Sequence, residues 1–132
     1  MLAQFARFCV VGVAGTVVDV GTVYLTMGAV GLYGAGALAW AAAVTTTWAL
    51  NRAWTFAGHG DGELLRQWAL FVAANSLGSV LNRGTFFLLV ATVPFCARYP
   101  VLPVLAGVAA GMFVNFNMSR RLVFRAHAAR TD

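Results

Sequence analysis

No lysine occurs in this 132-residue chain, and Asp and Glu together number only four. Charged side chains make up 10% of it, where an ordinary soluble domain carries about 25%. At this length the surface-to-volume ratio is high, so a soluble fold would need far more polar cover. Scarcity of charge with abundant apolar residues also excludes disorder. Two cysteines make a poor disulfide framework. The two histidines, His59 and His127, bring no convergent ligands with them, so no metal site is expected. Asp61 and Glu63 read as a solvated loop face. There is no glycine-rich phosphate loop of known spacing. Nor is there a nucleophile with a base and an orienting group. The expectation is a chain that is not an enzyme and uses no cofactor. No nucleic-acid motif and no basic patch interleaved with aromatics is present, so nucleic acid is not an expected partner.

What is present is apolar. Hydrophobic residues make up 61% of the chain, and the mean hydropathy is +0.79. A membrane is the natural solvent for such a composition. A transmembrane helix needs about 20 mostly apolar residues, and four segments qualify. They run from about Phe5 to Met27, Gly34 to Phe56, Gln67 to Phe95 and Val101 to Phe124. A short loop rich in glycine (Gly28, Gly31, Gly34, Gly36) is expected after the first. A loop holding Pro94, Arg98, Pro100 and Pro103 is expected after the third. The stretch GHGDGELLRQ between the second and third is the most polar in the chain.

The nine basic residues are all arginine, and the formal net charge is +5. In an apolar chain that balance points to anionic lipid or a phosphate ligand. Arg7, Arg52, Arg66, Arg120, Arg121, Arg125 and Arg130 fall at the termini or beside the middle loop, and Arg98 falls on the other side. The positive-inside rule then puts both termini in the cytoplasm, and a reporter fused after Asp132 should be active there. Trp54, Trp68 and Phe124 sit where an interfacial aromatic belt is expected. With no small-residue cleavage site after the first apolar run, that run reads as a retained helix. Cys9 and Cys96 then lie near opposite membrane faces, beyond the roughly 7 Å that a disulfide spans, and read as free thiols.

The chain also matches itself. At a shift of 63 residues Gly12 meets Asn75, Gly15 meets Gly78, Thr16 meets Ser79, Asp19 meets Asn82 and Tyr24 meets Phe87. At a shift of 68, Asn51-Arg52 meets Ser119-Arg120, Trp54 meets Leu122, Phe56 meets Phe124 and His59 meets His127. The fold class expected is therefore an all-α membrane protein of one domain over residues 1–132. Its four helices form two tandem hairpins in parallel repeat, at about 4–58 and 67–126.

Residues four apart share a helix face. The fourth span carries Gly107, Gly111, Asn115 and Ser119 at that spacing, and the second carries Ala39, Ala43, Thr47 and Asn51. Gly12, Thr16 and Asp19 share a face of the first span, and Asn75, Ser79, Asn82 and Arg83 mark the third. Small residues allow helices to approach, and Asn, Ser and Thr bond across them, so these faces are expected to point at one another. A packing seam and a polar pathway are both compatible with the pattern.

Asp19 and Arg83 are the sharpest features. Counted from the cytoplasmic helix starts, each lies about 20 Å deep. A charge near the bilayer centre is unfavourable by about 2.5–3.5 kcal/mol on insertion scales. They can form a structural ion pair, or mark a ligand or coupling site in which Arg83 holds a phosphate through two parallel bonds. A second cluster, Arg52, Arg120 and Arg121 with Asn51 and Ser119, lies at the cytoplasmic ends of spans two and four. It fits a head-group pocket or topology-setting charge with snorkelling side chains.

These motifs resemble the GtrA-like family of small bacterial membrane proteins. RFCVVGVAGTVVD is similar to the family's opening Arg-Phe and Gly-x-x-x-Thr-x-x-Asp pattern, here Gly12, Thr16 and Asp19. WALNRAWTF resembles its Asn-Arg-x-Trp-x-Phe ending, and NFNMSRRLVF its Ser-Arg-Arg-x-x-Phe ending. The resemblance spans about residues 4–125. It implies translocation of polyprenyl-phosphate-linked sugar across the bacterial cytoplasmic membrane for cell-surface polysaccharide synthesis. The carried-over positions are Asp19, Asn51, Arg52, Arg120 and Arg121; Arg83 rests on its depth alone. On this reading the arginines at the cytoplasmic mouth gather the phosphate, and Thr16, Asn75, Ser79, Asn82 and Asn115 line the way. The partners expected are the glycosylated polyprenyl phosphate, membrane lipids and a glycosyltransferase, in a homodimer or larger assembly. Two alternatives stand beside it, a non-transporting anchor or recruiter of a glycosyltransferase and a small proton-coupled exporter with Asp19 as the acid.

Overall fold

The computed structural model describes residues 1–58, 63–99 and 101–124. His59, Asp61, Pro100, Arg125, His127, Arg130 and Asp132, named above, lie outside the described residues. Every element among the described residues is helical. The chain divides into two compact units, Met1–Trp68 with Phe124, and Ala69–Val123.

Helix α1 covers Leu2–Leu50 and leaves helical geometry at one residue, Gly31, with φ 72° and ψ 170°. That conformation is essentially reserved for glycine, and it lets the arms 2–30 and 32–50 fold back on each other. Gly15 on the first arm sits against the Thr47 methyl on the second, so close that no Cβ fits between them. Nearer the ends of the arms, Phe8 meets Phe56 edge-on at 6.3 Å. The expected glycine-rich loop is thus a single residue, and Gly28, Gly34 and Gly36 all stay helical. One glycine suffices because the reversal needs only one residue at positive φ.

A five-residue π-helical turn, Asn51–Thr55, continues the second arm. Its widened ring is closed by the Phe56 N–H donating to the Asn51 carbonyl at 2.8 Å. Phe56 then stacks on Phe124 at 4.8 Å with 12° between the planes.

In the second unit, α2 (Leu64–Thr92) and α4 (Val101–Met118) pack antiparallel. The seam is made by glycine. A Cβ on Gly111 would lie 2.7 Å from the Gly78 carbonyl oxygen, and one on Gly107 would lie 2.5 Å from that of Asn82. The third span therefore ends at Thr92 rather than Phe95. Val93 is extended, as a residue before proline must be, and Pro94 opens the short helix α3 (Pro94–Arg98). Pro103 is buried in the first turn of α4, where its missing N–H forfeits no helical bond. Pro94, Arg98 and Pro103 are thus helical and not part of a loop. A second π turn, Ser119–Val123, follows α4.

Buried positions recur at the shifts found in the sequence. Phe8, Val11 and Gly15 are buried, and so are Phe71, Ala74 and Gly78, 63 residues on. Ala35, Ala39, Asn51, Thr55 and Phe56 are buried, and so are Pro103, Gly107, Ser119, Val123 and Phe124, 68 residues on. The two π turns obey the same shift.

Among the described residues, two helical stretches, Leu2–Thr55 and Val101–Val123, are long and apolar enough to cross a membrane. Little of their apolar surface is covered: Leu25 is 85% exposed and Tyr33 95%. Exposed apolar surface on this scale fits hydrocarbon rather than water as the surrounding solvent. Cys9 and Cys96 are both free thiols.

Candidate functional site

In the first unit the site gathers where the second arm turns π-helical. Asn51, its first residue, is 2% exposed. Arg52 follows, half-buried, and its guanidinium donates from Nη1 to Oε1 of Gln67. Gln67, itself 3% exposed, is neutral. This bond fixes one edge of the guanidinium, whose planar fork is the group suited to an anionic oxygen pair. Nearby, the Trp68 indole donates to the Thr45 hydroxyl at 3.2 Å. Arg7 caps the same end. Its guanidinium donates to the Trp54 carbonyl at 3.4 Å and stands 5.7 Å from the Trp54 ring centroid.

Four buried side-chain atoms among the described residues have no hydrogen-bond partner: Trp48 Nε1, Asn51 Oδ1, Thr55 Oγ1 and Asn115 Oδ1. Three of them belong to this helix end. Such atoms are uncommon in folded proteins.

The second unit holds the asparagines. Asn115 Nδ2 donates to Asn75 Oδ1 at 3.3 Å, and its side chain lies directly against Gly78. Asn82 packs on Gly107 and Gly111. All three asparagines are half-buried. Ser119 is buried, while Arg120 and Arg121 are exposed. Arg83 is exposed as well, one residue beyond the seam formed by Asn82.

The first-span face was expected to point inward, and this is corrected in part. Asp19 is half-buried, but Gly12 and Thr16 are exposed. Gly15 is what meets the second arm, and that contact turns the neighbouring face of the helix outward. Thr16 satisfies its hydroxyl on its own helix, donating to the Gly12 carbonyl at 3.2 Å. Ser79 is exposed in the same way and donates to the Asn75 carbonyl at 3.0 Å. Thr22 and Thr26 extend the polar stripe past Asp19, and each donates to the carbonyl four residues back, at 2.7 and 2.8 Å.

Gln67, Trp48 and Thr55 are not among the sequence-based candidates. Gln67 carries a signal that could have found it, because Gln4 precedes it by the repeat shift of 63. Trp48 and Thr55 share a helix face with Asn51 through spacings of three and four.

A family model described as GtrA/DPMS, transmembrane domain, matches residues 7–124. No curated protein matches the chain.

Proposed function

Because the chain belongs to the GtrA/DPMS transmembrane-domain family, we propose that this membrane protein carries polyprenyl-phosphate-linked sugar across the bacterial cytoplasmic membrane for cell-surface polysaccharide synthesis. The proposed topology is four spans in two tandem hairpins with both termini cytoplasmic. The recurrence of buried positions and π turns at the two sequence shifts supports that arrangement.

The observation that carries the reading is Arg52. A half-buried guanidinium held in place by the buried Gln67 amide, at the end of an apolar helix, supports binding of a phosphate arriving from the lipid. Arg7 on Trp54 adds charge at the same end. In the proposed path Arg120 and Arg121 help collect the phosphate at the cytoplasmic face. Asn75, Asn82 and Asn115 offer hydrogen bonds to the head group, which hydrocarbon cannot. Arg83 receives the phosphate nearer the outer side.

Arg83, Thr16 and Ser79 are exposed on a single chain. At intramembrane depth the exposure of the Arg83 charge is unfavourable. It supports a homodimer or larger assembly in which a second copy covers these residues. Native mass spectrometry in nanodiscs containing polyprenyl phosphate tests the binding step. The wild type is expected to retain the lipid and Arg52→Gln to lose it. Equal retention by both would remove Arg52 from the site.

A further inference from the structure

We infer that Trp48, Asn51 and Thr55 form a receptor for a hydroxyl group, and that on the reading just given the hydroxyl belongs to the sugar of the lipid-linked substrate. Positions 48, 51 and 55 fall on one face of the helix end. Each carries a buried polar atom without a partner: an indole N–H, an amide oxygen and a hydroxyl. Asn51 and Thr55 are each 2% exposed. The set offers one donor, one acceptor and one group able to do either. A hydroxyl, which both donates and accepts, complements all three. A phosphate does not, because the Asn51 oxygen would face it as a second acceptor.

The second half of the chain supplies an internal control. At the shift of 68, Trp48 corresponds to Phe116, Asn51 to Ser119 and Thr55 to Val123. Phe116, Ser119 and Val123 are buried too, at 4%, 1% and 6% exposure, and the last two lie in the matching π turn. The same local geometry therefore packs with Phe for Trp and with Val, the near-isostere of Thr that lacks the hydroxyl. At the positions of Trp48 and Thr55 packing does not require a polar atom, and leaving one unpartnered is unfavourable. Their retention makes sense if a ligand satisfies them. Arg52 lies in the same π turn as Asn51 and Thr55, so on the reading just given the sugar attached to its phosphate arrives at this helix end. The three atoms are buried, so a ligand reaches them through a side-chain rearrangement, and Trp48 is the half-buried member of the set.

The test uses the substitutions that the second half already carries: Trp48→Phe, Asn51→Ser and Thr55→Val. The full chain in nanodiscs is titrated with polyprenyl phosphate and with the same lipid bearing one glucose. The wild type should bind the glycosylated lipid more tightly. Asn51→Ser and Thr55→Val should each lose about fivefold to tenfold of that affinity, the scale of one net hydrogen bond, and Thr55→Val, which lies outside the head-group cluster, should keep its affinity for the bare lipid. Equal wild-type affinity for both lipids overturns the inference while leaving phosphate binding intact. An equal loss for both lipids in Thr55→Val also overturns it. Binding of neither lipid by the wild type sinks the function proposed above instead.

Discussion

Gly111 stands in one of the two close backbone contacts of the α2–α4 seam, and its replacement by alanine gives a graded test of the helix packing. A Cβ there would lie 2.7 Å from the Gly78 carbonyl oxygen and 3.1 Å from the Asn82 Cβ. The first obstacle is backbone, so it cannot rotate away. Helices α2 and α4 would have to part by several tenths of an ångström, loosening the Asn75–Asn115 bond on the same seam. Overpacking of this kind destabilises by about 1–3 kcal/mol, and the backbone obstacle puts Gly111→Ala toward the upper end. Alanine also favours helix over glycine by about 1 kcal/mol, which would mask part of the loss. Gly84→Ala on the same hairpin removes that ambiguity. Gly84 is helical and exposed, and an added Cβ meets nothing within 4 Å. The propensity gain is common to both variants, so their difference isolates the steric term. Thermal unfolding of the detergent-solubilised protein should rank Gly84→Ala at or above wild type and Gly111→Ala below Gly84→Ala by about 1–3 kcal/mol. Equal midpoints for the two variants would refute the close α2–α4 approach.

Three further outcomes follow from the contacts. Asn75→Ala and Asn115→Ala, combined in a double-mutant cycle on unfolding, should show a favourable coupling of about 0.6 kcal/mol and not more than about 1.7; zero coupling would mean that the 3.3 Å bond adds nothing. Phe56→Ala, which removes a ring 1% exposed and stacked on Phe124, should lower unfolding stability by about 3–5 kcal/mol, and a change under 1 kcal/mol would contradict the stack. Arg52→Lys keeps the charge but loses the planar fork. Its Kd for polyprenyl phosphate should rise about tenfold or more, the scale of a charge-assisted hydrogen bond, whereas an unchanged Kd would show that charge alone suffices.

Much of the helical organisation was legible in the sequence, because apolar runs of membrane length leave few other structures open to the chain. The Gly107–Gly111–Asn115 ridge was legible too, since spacing of four dictates a shared face whatever that face meets. The rotation of the first helix was not. Gly12 and Gly15 both permit close approach, and the Thr47 methyl, distant in sequence, is what selects Gly15. The single break at Gly31 was hidden among four glycines, all able to adopt positive φ. The π turns have no compositional signature. They place Asn51 and Thr55 in the interior, so the unpartnered atoms beside Arg52 emerge only from the structure. Gln67 was hidden in another way: its value lies in its burial against Arg52, which spacing along one helix cannot reveal.

The central claim is that a phosphate-bearing lipid passes through this protein. Its most direct measurement is the movement of polyprenyl-phosphate glucose in sealed proteoliposomes, labelled on one leaflet and read by a membrane-impermeant probe. The account predicts that label appears on the opposite leaflet with wild-type protein, and far more slowly with Arg52→Gln or Arg83→Gln. Tight binding of the lipid with no change of leaflet would contradict it, and would mark the chain as an anchor or recruiter rather than a carrier.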